Sequence, residues 1–321
     1  MKILFTGATG FLGGWLINHF LNSFDEVIVL RNKDTRTTHK SDSQYQLKKY
    51  AQKCRELFVD LLDSEAVANV ITNEQPYAII HLAAVGDVTV AIDNPKSTYE
   101  VSSNGTLNLL EAIRKESPDT FFISHTTDKV YSGNAVPFRE EMFFNPTHIY
   151  EAAKVSQEYL TSIYAKSYGV RAVTIRCGNY FGGFDFNFNR IVPYVIKCAL
   201  QGDPVQLRSK GNFTRDFLYI KDAVLVNQLV LDNLASGRFN SSFGEAFNFS
   251  LETQLSVIDV VRLILELVPK DVPIEIVGEG ANEIPDMRLD CSKAKSFLKW
   301  APQYSFEDGL LETIDFYKAY H

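Results

Sequence analysis

The chain has 321 residues, of which 45% are hydrophobic and 22% charged, and its mean hydropathy is −0.09. This balance excludes a disordered or fibrous protein. The length suits one large α/β domain with a smaller one attached, because single cores rarely grow beyond about 250–300 residues. The formal net charge of −7 argues against a broad surface for nucleic acid or anionic membrane. Any phosphate site is therefore expected to be local.

The cysteines lie far apart, with no C-x-x-C pair and no histidine cluster at ligand spacing: Cys54, Cys177, Cys198 and Cys291. Neither a metal site nor a disulfide framework is expected from this pattern. The first apolar segment starts at Lys2, which leaves no room for a signal peptide, and no apolar run approaches the roughly 20 residues of a membrane span. A cytoplasmic location with no membrane partner is the expectation.

Short apolar segments alternate with longer amphipathic ones through the first half of the chain, which predicts an α/β fold with a parallel sheet. The predicted strands are Lys2–Phe5, Glu26–Leu30, Leu57–Val59, Ala78–Leu82, Phe121–Ser124 and Arg171–Arg176. The predicted helices are Phe11–Leu21, Ser97–Lys115 and Tyr150–Tyr168, the last closed by Gly169, with others near Val192–Leu200 and Asp222–Leu234. The strands are almost continuously apolar, as expected of strands covered on both faces.

The first strand leads directly into a glycine-rich loop, Thr6-Gly7-Ala8-Thr9-Gly10-Phe11-Leu12-Gly13, and a helix begins inside it. Gly7 allows a tight turn, Gly10 lets the backbone approach a pyrophosphate, and Gly13 permits close packing of helix on sheet. The start of the helix adds free N–H groups and a positive dipole end. The loop predicts a phosphate cradle, with a purely structural turn as the alternative.

The G-x-x-G-x-x-G spacing, together with Tyr150-Glu151-Ala152-Ala153-Lys154, resembles the extended short-chain dehydrogenases/reductases over essentially the whole chain. The resemblance implies a Rossmann-type doubly wound parallel sheet, a smaller C-terminal substrate-binding lobe, and NAD or NADP as cofactor. Asp60-Leu61 resembles the adenine contact of that family, and His81-Leu82-Ala83-Ala84 the stretch beside the cofactor ribose. The cofactor-binding residues that the resemblance implies are Gly7, Thr9, Gly10, Phe11, Leu12, Gly13, Asp60, Leu61, Leu82, Ala83, Ala84, Tyr150 and Lys154.

The chain divides, by these patterns, into a cofactor-binding part and a substrate-binding part. We assign residues 1–176 to the first, with 216–245 returning to it, and residues 177–215 and 246–321 mainly to the second. The polar segment from Asn32 to Glu56 is too poor in apolar residues to join the core, and we expect it to cover the adenosine end of the cofactor.

Tyr150 and Lys154 lie four residues apart, so a helix presents them on one face. A phenol with a pKa near 10 is a poor base at neutral pH. We expect the Lys154 ammonium and an oxidised nicotinamide to lower the pKa of Tyr150.

The turn after the fifth strand reads Thr126-Thr127-Asp128-Lys129 and lies at the carboxyl end of the sheet, where open α/β sheets bind ligands. Thr127 matches the hydroxyl member of the family's catalytic triad. Asp128-Lys129 resembles a subset of its sugar-nucleotide 4,6-dehydratases. Within that subset, Trp15, Arg176-Cys177-Gly178-Asn179 and Glu283-Ile284-Pro285 resemble the CDP-glucose 4,6-dehydratase type. A surface ion pair on a turn is the alternative.

Three polar residues in the second half are expected to bind substrate. Asn179 can hydrogen-bond a sugar or phosphate, and Arg215 resembles the family's pyrophosphate ligand. Arg190 is a second phosphate candidate, although a structural salt bridge explains it nearly as well.

Two positions depart from the family's pattern. Ser102 stands where relatives often carry a catalytic asparagine, so that role is not transferred. Arg31 ends the second strand where NAD-specific relatives often have an acid, and an arginine suits the 2′-phosphate of NADP, assisted by Lys33 or Arg36.

The residues thus predict a sugar-nucleotide 4,6-dehydratase that forms a 4-keto-6-deoxy product. Tyr150 with Thr127 and Lys154 would oxidise C4, Lys129 would remove the C5 proton, and Asp128 would protonate the departing C6 hydroxyl. Burial and repulsion by Lys154 about 6 Å away should lower the pKa of Lys129. A 4-epimerase, a sugar-nucleotide dehydrogenase and a catalytically silent regulator remain alternatives. The family resemblance also implies a homodimer through the helices at Ser97–Lys115 and Tyr150–Tyr168, with a nucleotide sugar and no nucleic acid as partner.

Overall fold

Seven parallel strands form the central sheet in a computed structural model that describes residues 1–32, 53–86, 88–278 and 284–320. Among these residues the strands, in chain order, are β1 (Lys2–Thr6), β2 (Glu26–Arg31), β3 (Arg55–Phe58), β4 (Ala78–His81), β5 (Phe121–His125), β6 (Arg171–Cys177), β7 (Asn179–Phe181), β8 (Val205–Leu207), β9 (Thr214–Arg215), β10 (Phe217–Tyr219), β11 (Ala246–Phe249), β12 (Leu255–Ser256) and β13 (Ile274–Ile276). The sheet order is β11-β6-β5-β4-β1-β2-β3, and each neighbouring pair runs parallel. The predicted Rossmann-type sheet is confirmed.

The helices of the described segments are α1 (Phe11–Phe20), α2 (Ser64–Glu74), α3 (Val88–Asp93), α4 (Pro95–Tyr99), α5 (Gly105–Glu116), α6 (Ile149–Tyr168), α7 (Ile191–Gln201), α8 (Ile220–Ala235), α9 (Val257–Leu267), α10 (Ser292–Leu298) and α11 (Phe306–Tyr320). None of them is long and apolar enough to cross a membrane. The predicted single helix Ser97–Lys115 is instead α4, a π-helical turn at Glu100–Asn104, and α5. The Ser-Ser-Asn-Gly run at this join is poor in helix-forming residues.

Successive side chains of the strands bury on opposite faces of the sheet, because the side-chain period of a strand is two. Ile3 and Phe5 join the core beneath α1 and α8, whereas Leu4 packs with Leu109 and Ile113 beneath α2 and α5. Apolar side chains on both faces explain why the strands are continuous apolar runs.

The strand β11 adds a seventh strand to the six that the sequence analysis predicted. Ala246 pairs with Thr174 and Phe249 with Cys177, so β11 is the seventh strand at the sheet edge. Its sequence, Ala-Phe-Asn-Phe, alternates apolar and polar residues too briefly to signal a sheet strand.

The remaining short strands form three two-stranded sheets. The β7–β10 pair contacts helices α8 and α11, β8 of the β8–β13 pair contacts α7, and β12 of the β9–β12 pair contacts α9. One continuous cluster of buried apolar residues runs from Phe5 in β1 through Val195 in α7 to Ile264 in α9. The division into a cofactor part and a substrate part therefore stays a prediction about function, because both parts share a core.

Candidate active site

The glycine loop connects β1 to α1 at the carboxyl edge of the sheet. Gly7 adopts a φ of +68°, and a Cβ placed on it would lie 2.5 Å from the backbone nitrogen of Ala83. A Cβ on Gly13 would lie 2.6 Å from the Cα of Ala8. Both positions therefore require glycine, one for its backbone conformation and both for close backbone packing.

The start of α1 is open to an anion. Gly10 is its N-cap, no side chain caps the helix, and its first turn, which begins with Phe11 and Leu12, carries no acidic residue. The N–H groups of such a turn are partnered by a phosphate in dinucleotide-binding folds. The loop that carries Thr9 and Gly10 therefore fits the pyrophosphate of a nicotinamide dinucleotide.

The segment after β4 packs against this loop. The backbone N–H of Leu82 donates to the Thr6 carbonyl at 3.1 Å, and that of Ala83 donates to the Thr6 hydroxyl at 3.3 Å. Ala84 follows and is partly exposed. The structure thus brings Leu82, Ala83 and Ala84 beside the glycine loop, where a bound dinucleotide would lie.

The expected adenosine end lies at the carboxyl ends of β2 and β3. Asp60 accepts hydrogen bonds from the Asn32 side chain at 2.7 Å and from the Leu62 backbone at 2.9 Å. Leu61 is held by Asn108, whose side-chain amide donates to the Leu61 carbonyl at 2.8 Å. Most of the polar segment predicted to cover this end, including Lys33 and Arg36, lies outside the described residues.

Arg31 is already engaged at this end. Its Nη2 lies 3.2 Å from Glu56 Oε2, and its guanidinium stacks 4.9 Å from the centre of the Phe58 ring. The Arg31 Nε is buried and has no hydrogen-bond partner among the described residues. Arg31 therefore has the position expected for a 2′-phosphate contact, but a carboxylate competes for its charge.

The catalytic turn, Thr126 to Tyr131, follows β5 and contains a 3₁₀ helix at Asp128–Tyr131 that Thr127 caps by accepting the Lys129 N–H at 3.3 Å. Its two ends are fastened to one buried ion pair, Glu158 with Arg176. The Thr126 hydroxyl donates to Glu158 at 3.2 Å, and Arg176 donates to the Tyr131 hydroxyl. The ion pair thus fixes the turn against α6 and β6.

Helix α6 carries Tyr150 and Lys154 next to this turn. Glu151 closes a capping box at the helix start by accepting the His148 N–H, and Gly169 ends the helix in the left-handed conformation, as predicted. The Lys154 ammonium is buried and donates to the His125 carbonyl and to Gln157 Oε1, both at 3.0 Å. Gln157 was not anticipated, although its position three residues after Lys154 puts both side chains on one helix face.

Burial governs the pKa values of the two adjacent acid–base candidates. It raises the pKa of Asp128 to about 6, although Lys129 and Thr127 favour the carboxylate. It lowers the pKa of Lys129, as predicted, and Asp128 opposes that shift. The cations that lower it further are Arg215 and Arg190, whereas the sequence analysis named Lys154.

The prediction for Tyr150 is wrong for the protein alone. Burial raises the pKa of Tyr150 to about 12, and the Thr127 hydroxyl, hydrogen-bonded to the phenol, only partly offsets this. The hydrogen bonds of the Lys154 ammonium go to His125 and Gln157. Burial also lowers the pKa of Lys154 to about 8.

The three predicted substrate residues each make a polar contact within the protein. Arg215 donates from Nη1 to the carbonyls of Thr214 and Ile284, both at 2.8 Å, and Arg190 lies 3.2 Å from Asp185. Asn179 donates to the Asp216 carbonyl at 3.3 Å. Both arginines lower the pKa of Lys129, so their charges act on the turn that carries it.

Within the described segments, no group of three or more His, Cys, Asp or Glu side chains could hold a metal ion. The polar groups that converge on the cleft are instead the hydroxyl, carboxyl and cationic side chains of Thr127, Asp128, Lys129, Tyr150 and Lys154. Such a set can move protons to and from a sugar beside a dinucleotide.

Known proteins resemble this chain in sequence and in fold. The family model for GDP-mannose 4,6-dehydratase matches residues 4–313. The dTDP-glucose 4,6-dehydratase 1 of Escherichia coli (strain K12) is 29% identical over 351 residues, an alignment that covers 99% of this chain and 92% of the relative.

Two solved structures are similar at lower identity. The UDP-glucose 4-epimerase of Thermotoga maritima, with UDP-glucose, superposes with a TM-score of 0.89 at 24% identity and covers 100% of this chain and 99% of its own. DesIV, the dTDP-glucose 4,6-dehydratase of Streptomyces venezuelae with NAD and TYD bound, superposes with a TM-score of 0.87 at 23% identity. The match covers 99% of this chain and 97% of DesIV. At these identities the structures show a shared fold.

Fold and site define an extended short-chain dehydrogenase/reductase built for a nucleotide sugar. The chain belongs to the GDP-mannose 4,6-dehydratase family, because the family model spans nearly all of it. The prediction of a nicotinamide-dependent sugar-nucleotide 4,6-dehydratase is thereby confirmed, and full-length relatives that carry this activity in their names agree with it.

Proposed function

We propose that this chain eliminates water between C5 and C6 of a nucleoside diphosphate hexose, with Asp128 as the acid and Lys129 as the base. The observation that carries the proposal is the state of Asp128. Its side chain is 3% exposed, and its Oδ2 is buried with no hydrogen-bond partner among the described residues. An unpartnered buried carboxyl oxygen costs free energy, and the hydroxyl of a bound substrate would satisfy it.

Tyr150 is the base for the C4 hydroxyl. The Thr127 hydroxyl lowers the pKa of the phenol and so favours its ionised form. Lys154, one turn further along the same helix, would contact the ribose of a bound cofactor. A nicotinamide dinucleotide held by the glycine loop would supply hydride transfer to and from the sugar, and its positive charge when oxidised would favour the phenolate. The C4 ketone acidifies the C5–H bond, which Lys129 can then break.

The Asp128–Lys129 pair works as one titrating unit. Elimination needs a neutral Lys129 and a protonated Asp128, and this state carries the same number of protons as the ion pair. Burial shifts the two pKa values toward each other, because it disfavours both charges. The productive state is then reached by moving one proton within the pair, without exchange with solvent.

The positive side of the cleft fits the diphosphate of the substrate. Arg190 and Arg215 provide guanidinium groups of the geometry that binds phosphate oxygens in pairs, and Asn179 adds an amide donor. The chain's relatives are named for dTDP-glucose, whereas the Asp-Lys pair resembles the CDP-glucose type. A direct comparison of the turnover of dTDP-glucose and CDP-glucose therefore tests which nucleotide base the enzyme prefers.

We also propose a preference for NADP over NAD, based on Arg31 at the end of β2. A charge-assisted contact with a 2′-phosphate contributes roughly 1.5–3 kcal/mol. The Glu56 carboxylate, 3.2 Å from Arg31, subtracts from this preference. A solved relative from Streptomyces venezuelae carries NAD.

A homodimer is the proposed assembly. Large apolar side chains on α3, α4 and α6 are exposed: Ile92 57%, Tyr99 41%, Tyr159 54% and Ile163 49%. Clusters of exposed apolar residues on adjoining helices mark interaction surfaces. Light scattering coupled to size exclusion should give about twice the chain mass of 36.3 kDa. Ile163→Lys should lower the measured mass toward that of a monomer.

The experiment that tests the function is incubation of the enzyme with dTDP-glucose, CDP-glucose, UDP-glucose and GDP-mannose, followed by mass spectrometry. Loss of one water with no net change in cofactor supports the dehydratase assignment. An epimer of unchanged mass would identify a 4-epimerase, and accumulation of reduced cofactor with an oxidised sugar would identify a dehydrogenase.

A further inference from the structure

Lys154 is a buried cation that neutral oxygen atoms hold in place. It is 5% exposed, and its ammonium donates to the His125 carbonyl and to Gln157 Oε1, both at 3.0 Å. A lysine ammonium has three N–H donors. Within the described part of the chain these two hydrogen bonds use two of them, which leaves the third for a bound ligand.

The side-chain amide of Gln157 is itself fixed in one orientation. Gln157 is fully buried, and its Nε2 donates to the Ser124 hydroxyl at 3.0 Å and to the His125 carbonyl at 3.2 Å. The reverse orientation of the amide would point its N–H groups at the Lys154 ammonium, which accepts no hydrogen bond. The oxygen of Gln157 is therefore directed at Lys154 by two residues of β5.

The acceptors of Lys154 are uncharged, although a carboxylate follows Gln157 in the sequence. That carboxylate, on Glu158, is paired with Arg176 and accepts the Thr126 hydroxyl at 3.2 Å. Burial lowers the pKa of Lys154 to about 8, and the charge of Glu158 opposes this shift. Because amide and carbonyl oxygens do not neutralise the ammonium, its third N–H remains a charge-assisted donor, which forms stronger hydrogen bonds than a neutral one.

Two buried histidines on neighbouring strands also interact with this charge. Burial and, to a smaller extent, the charge of Lys154 lower the pKa of His125 on β5 to about 4 and that of His81 on β4 to about 3. Both rings are therefore neutral near pH 7. Tyr150 lies one turn before Lys154 on α6, and burial raises its pKa to about 12. A titration near pH 8 at this position therefore belongs to Lys154.

We propose that Gln157 is a positioning residue, which holds the Lys154 ammonium so that its third N–H reaches the ribose of a bound cofactor. This inference rests on the proposed contact of Lys154 with the ribose. Gln157 is three residues after Lys154, so both side chains lie on one face of α6, and its other partners, Ser124 and His125, end β5. The ammonium is therefore fixed at the carboxyl edge of the sheet, beside which a dinucleotide binds in this fold.

Calorimetry with NADP and NAD on cofactor-free protein tests this role with three variants. Gln157→Met removes the acceptor and keeps the size, so cofactor binding at pH 7 should weaken by about 10- to 100-fold, as expected for a lost hydrogen bond to a charged group. Gln157→Glu keeps an oxygen there, so binding should change much less. Gln228→Met, which breaks hydrogen bonds of a glutamine on α8 to His19 and Asp232, is the matched control and should leave the affinity unchanged.

The pH dependence of binding is a readout that a purely structural glutamine would not move. Wild-type affinity should fall as the pH rises through about 8, because the ammonium loses its charge. A carboxylate in contact favours the charged form, so this midpoint should move to higher pH in Gln157→Glu and to lower pH in Gln157→Met. Carbon-13 NMR of the lysine side chains, with Lys154 assigned by its absence in Lys154→Met, follows the same titration without cofactor.

An unchanged Lys154 pKa and an unchanged cofactor affinity in Gln157→Met would overturn the proposal, as would a loss of unfolding free energy in urea alone. If Gln157→Met does not fold, an unchanged midpoint in Gln157→Glu is the contradicting result. If wild type releases no water, the dehydratase proposal fails separately, since the Lys154 titration and cofactor binding still decide the role of Gln157.

Discussion

The Nζ atom of Lys129 lies 5.8 Å from the centre of the Tyr150 ring, so the proposed bases for C5 and C4 face one another across a few ångströms. Lys129→Met should keep oxidation at C4 and abolish elimination. Reduced cofactor should appear when substrate is added, but no solvent deuterium should enter the sugar and no water should be lost. Dehydration near the wild-type rate would exclude Lys129 as the base.

Asp128→Asn is expected to fail at a different step, because asparagine cannot protonate the departing hydroxyl. Exchange of the C5 hydrogen with solvent should persist while loss of water slows by about 10²–10⁴-fold. Deuterium incorporation and water loss, measured in the same sample, separate the two steps. Loss of exchange and elimination by the same factor would show that Asp128 acts before C5 is deprotonated.

The pH dependence follows from the raised pKa of Asp128, which is about 6. Below this pH the pair holds two protons, so Lys129 is charged and cannot act as a base. We expect kcat/KM to rise with pH, with an apparent midpoint near 6. In Asp128→Asn, the pH midpoint of the C5 exchange reaction should move away from this value. A pH midpoint that stays near 6 in the variant would belong to another titrating group.

Tyr150→Phe should leave the fold and cofactor binding largely intact, since the residue is half-buried and phenylalanine preserves its ring. Turnover should fall by about 10²–10⁴-fold because a proton-transfer group is lost. Circular dichroism and cofactor titration provide the controls. Near-normal turnover would remove Tyr150 from the catalytic set.

Cofactor choice is tested by two substitutions at one ion pair. Arg31→Ala should weaken NADP binding by about 10- to 100-fold and change NAD binding little, whereas Glu56→Gln should strengthen NADP binding because it removes the competing carboxylate. Titration calorimetry on cofactor-free protein measures both. Tighter binding of NAD than of NADP by wild type would show that Arg31 serves Glu56 and Phe58 alone.

The buried pair Glu158–Arg176 should be far more important for stability than an exposed one. Glu158→Gln leaves a buried guanidinium without its counter-charge and should cost about 3–5 kcal/mol of unfolding free energy. Lys96→Gln, which breaks an exposed pair with Glu100 at 3.8 Å, is the matched control and should cost less than about 1 kcal/mol. If the two variants lose similar unfolding free energies in urea, the buried pair does not stabilise the fold more than the exposed pair does.

The sequence was sufficient for features that depend on neighbours along the chain. The glycine loop, the apolar strands and the Tyr150–Lys154 face all follow from local spacing. The causes of the Lys129 shift and the Glu56 contact of Arg31 were not predictable, because they join residues from separate elements whose side-chain directions are fixed by packing. Strand β11 was missed because four residues carry too little periodicity to distinguish a strand from a loop.

Glu158 and Arg176 grip the catalytic turn only at Thr126 and Tyr131, and the side chains between them carry no part of that fastening. Val130 of this turn belongs to the apolar core, so the residues that can be exchanged without removing a core side chain are Thr127, Asp128 and Lys129. New reactions can therefore arise on it with little loss of stability. This gives a physical reason why proteins named as 4-epimerases and as 4,6-dehydratases share one fold: divergence of activity needs changes only at positions that the scaffold leaves free.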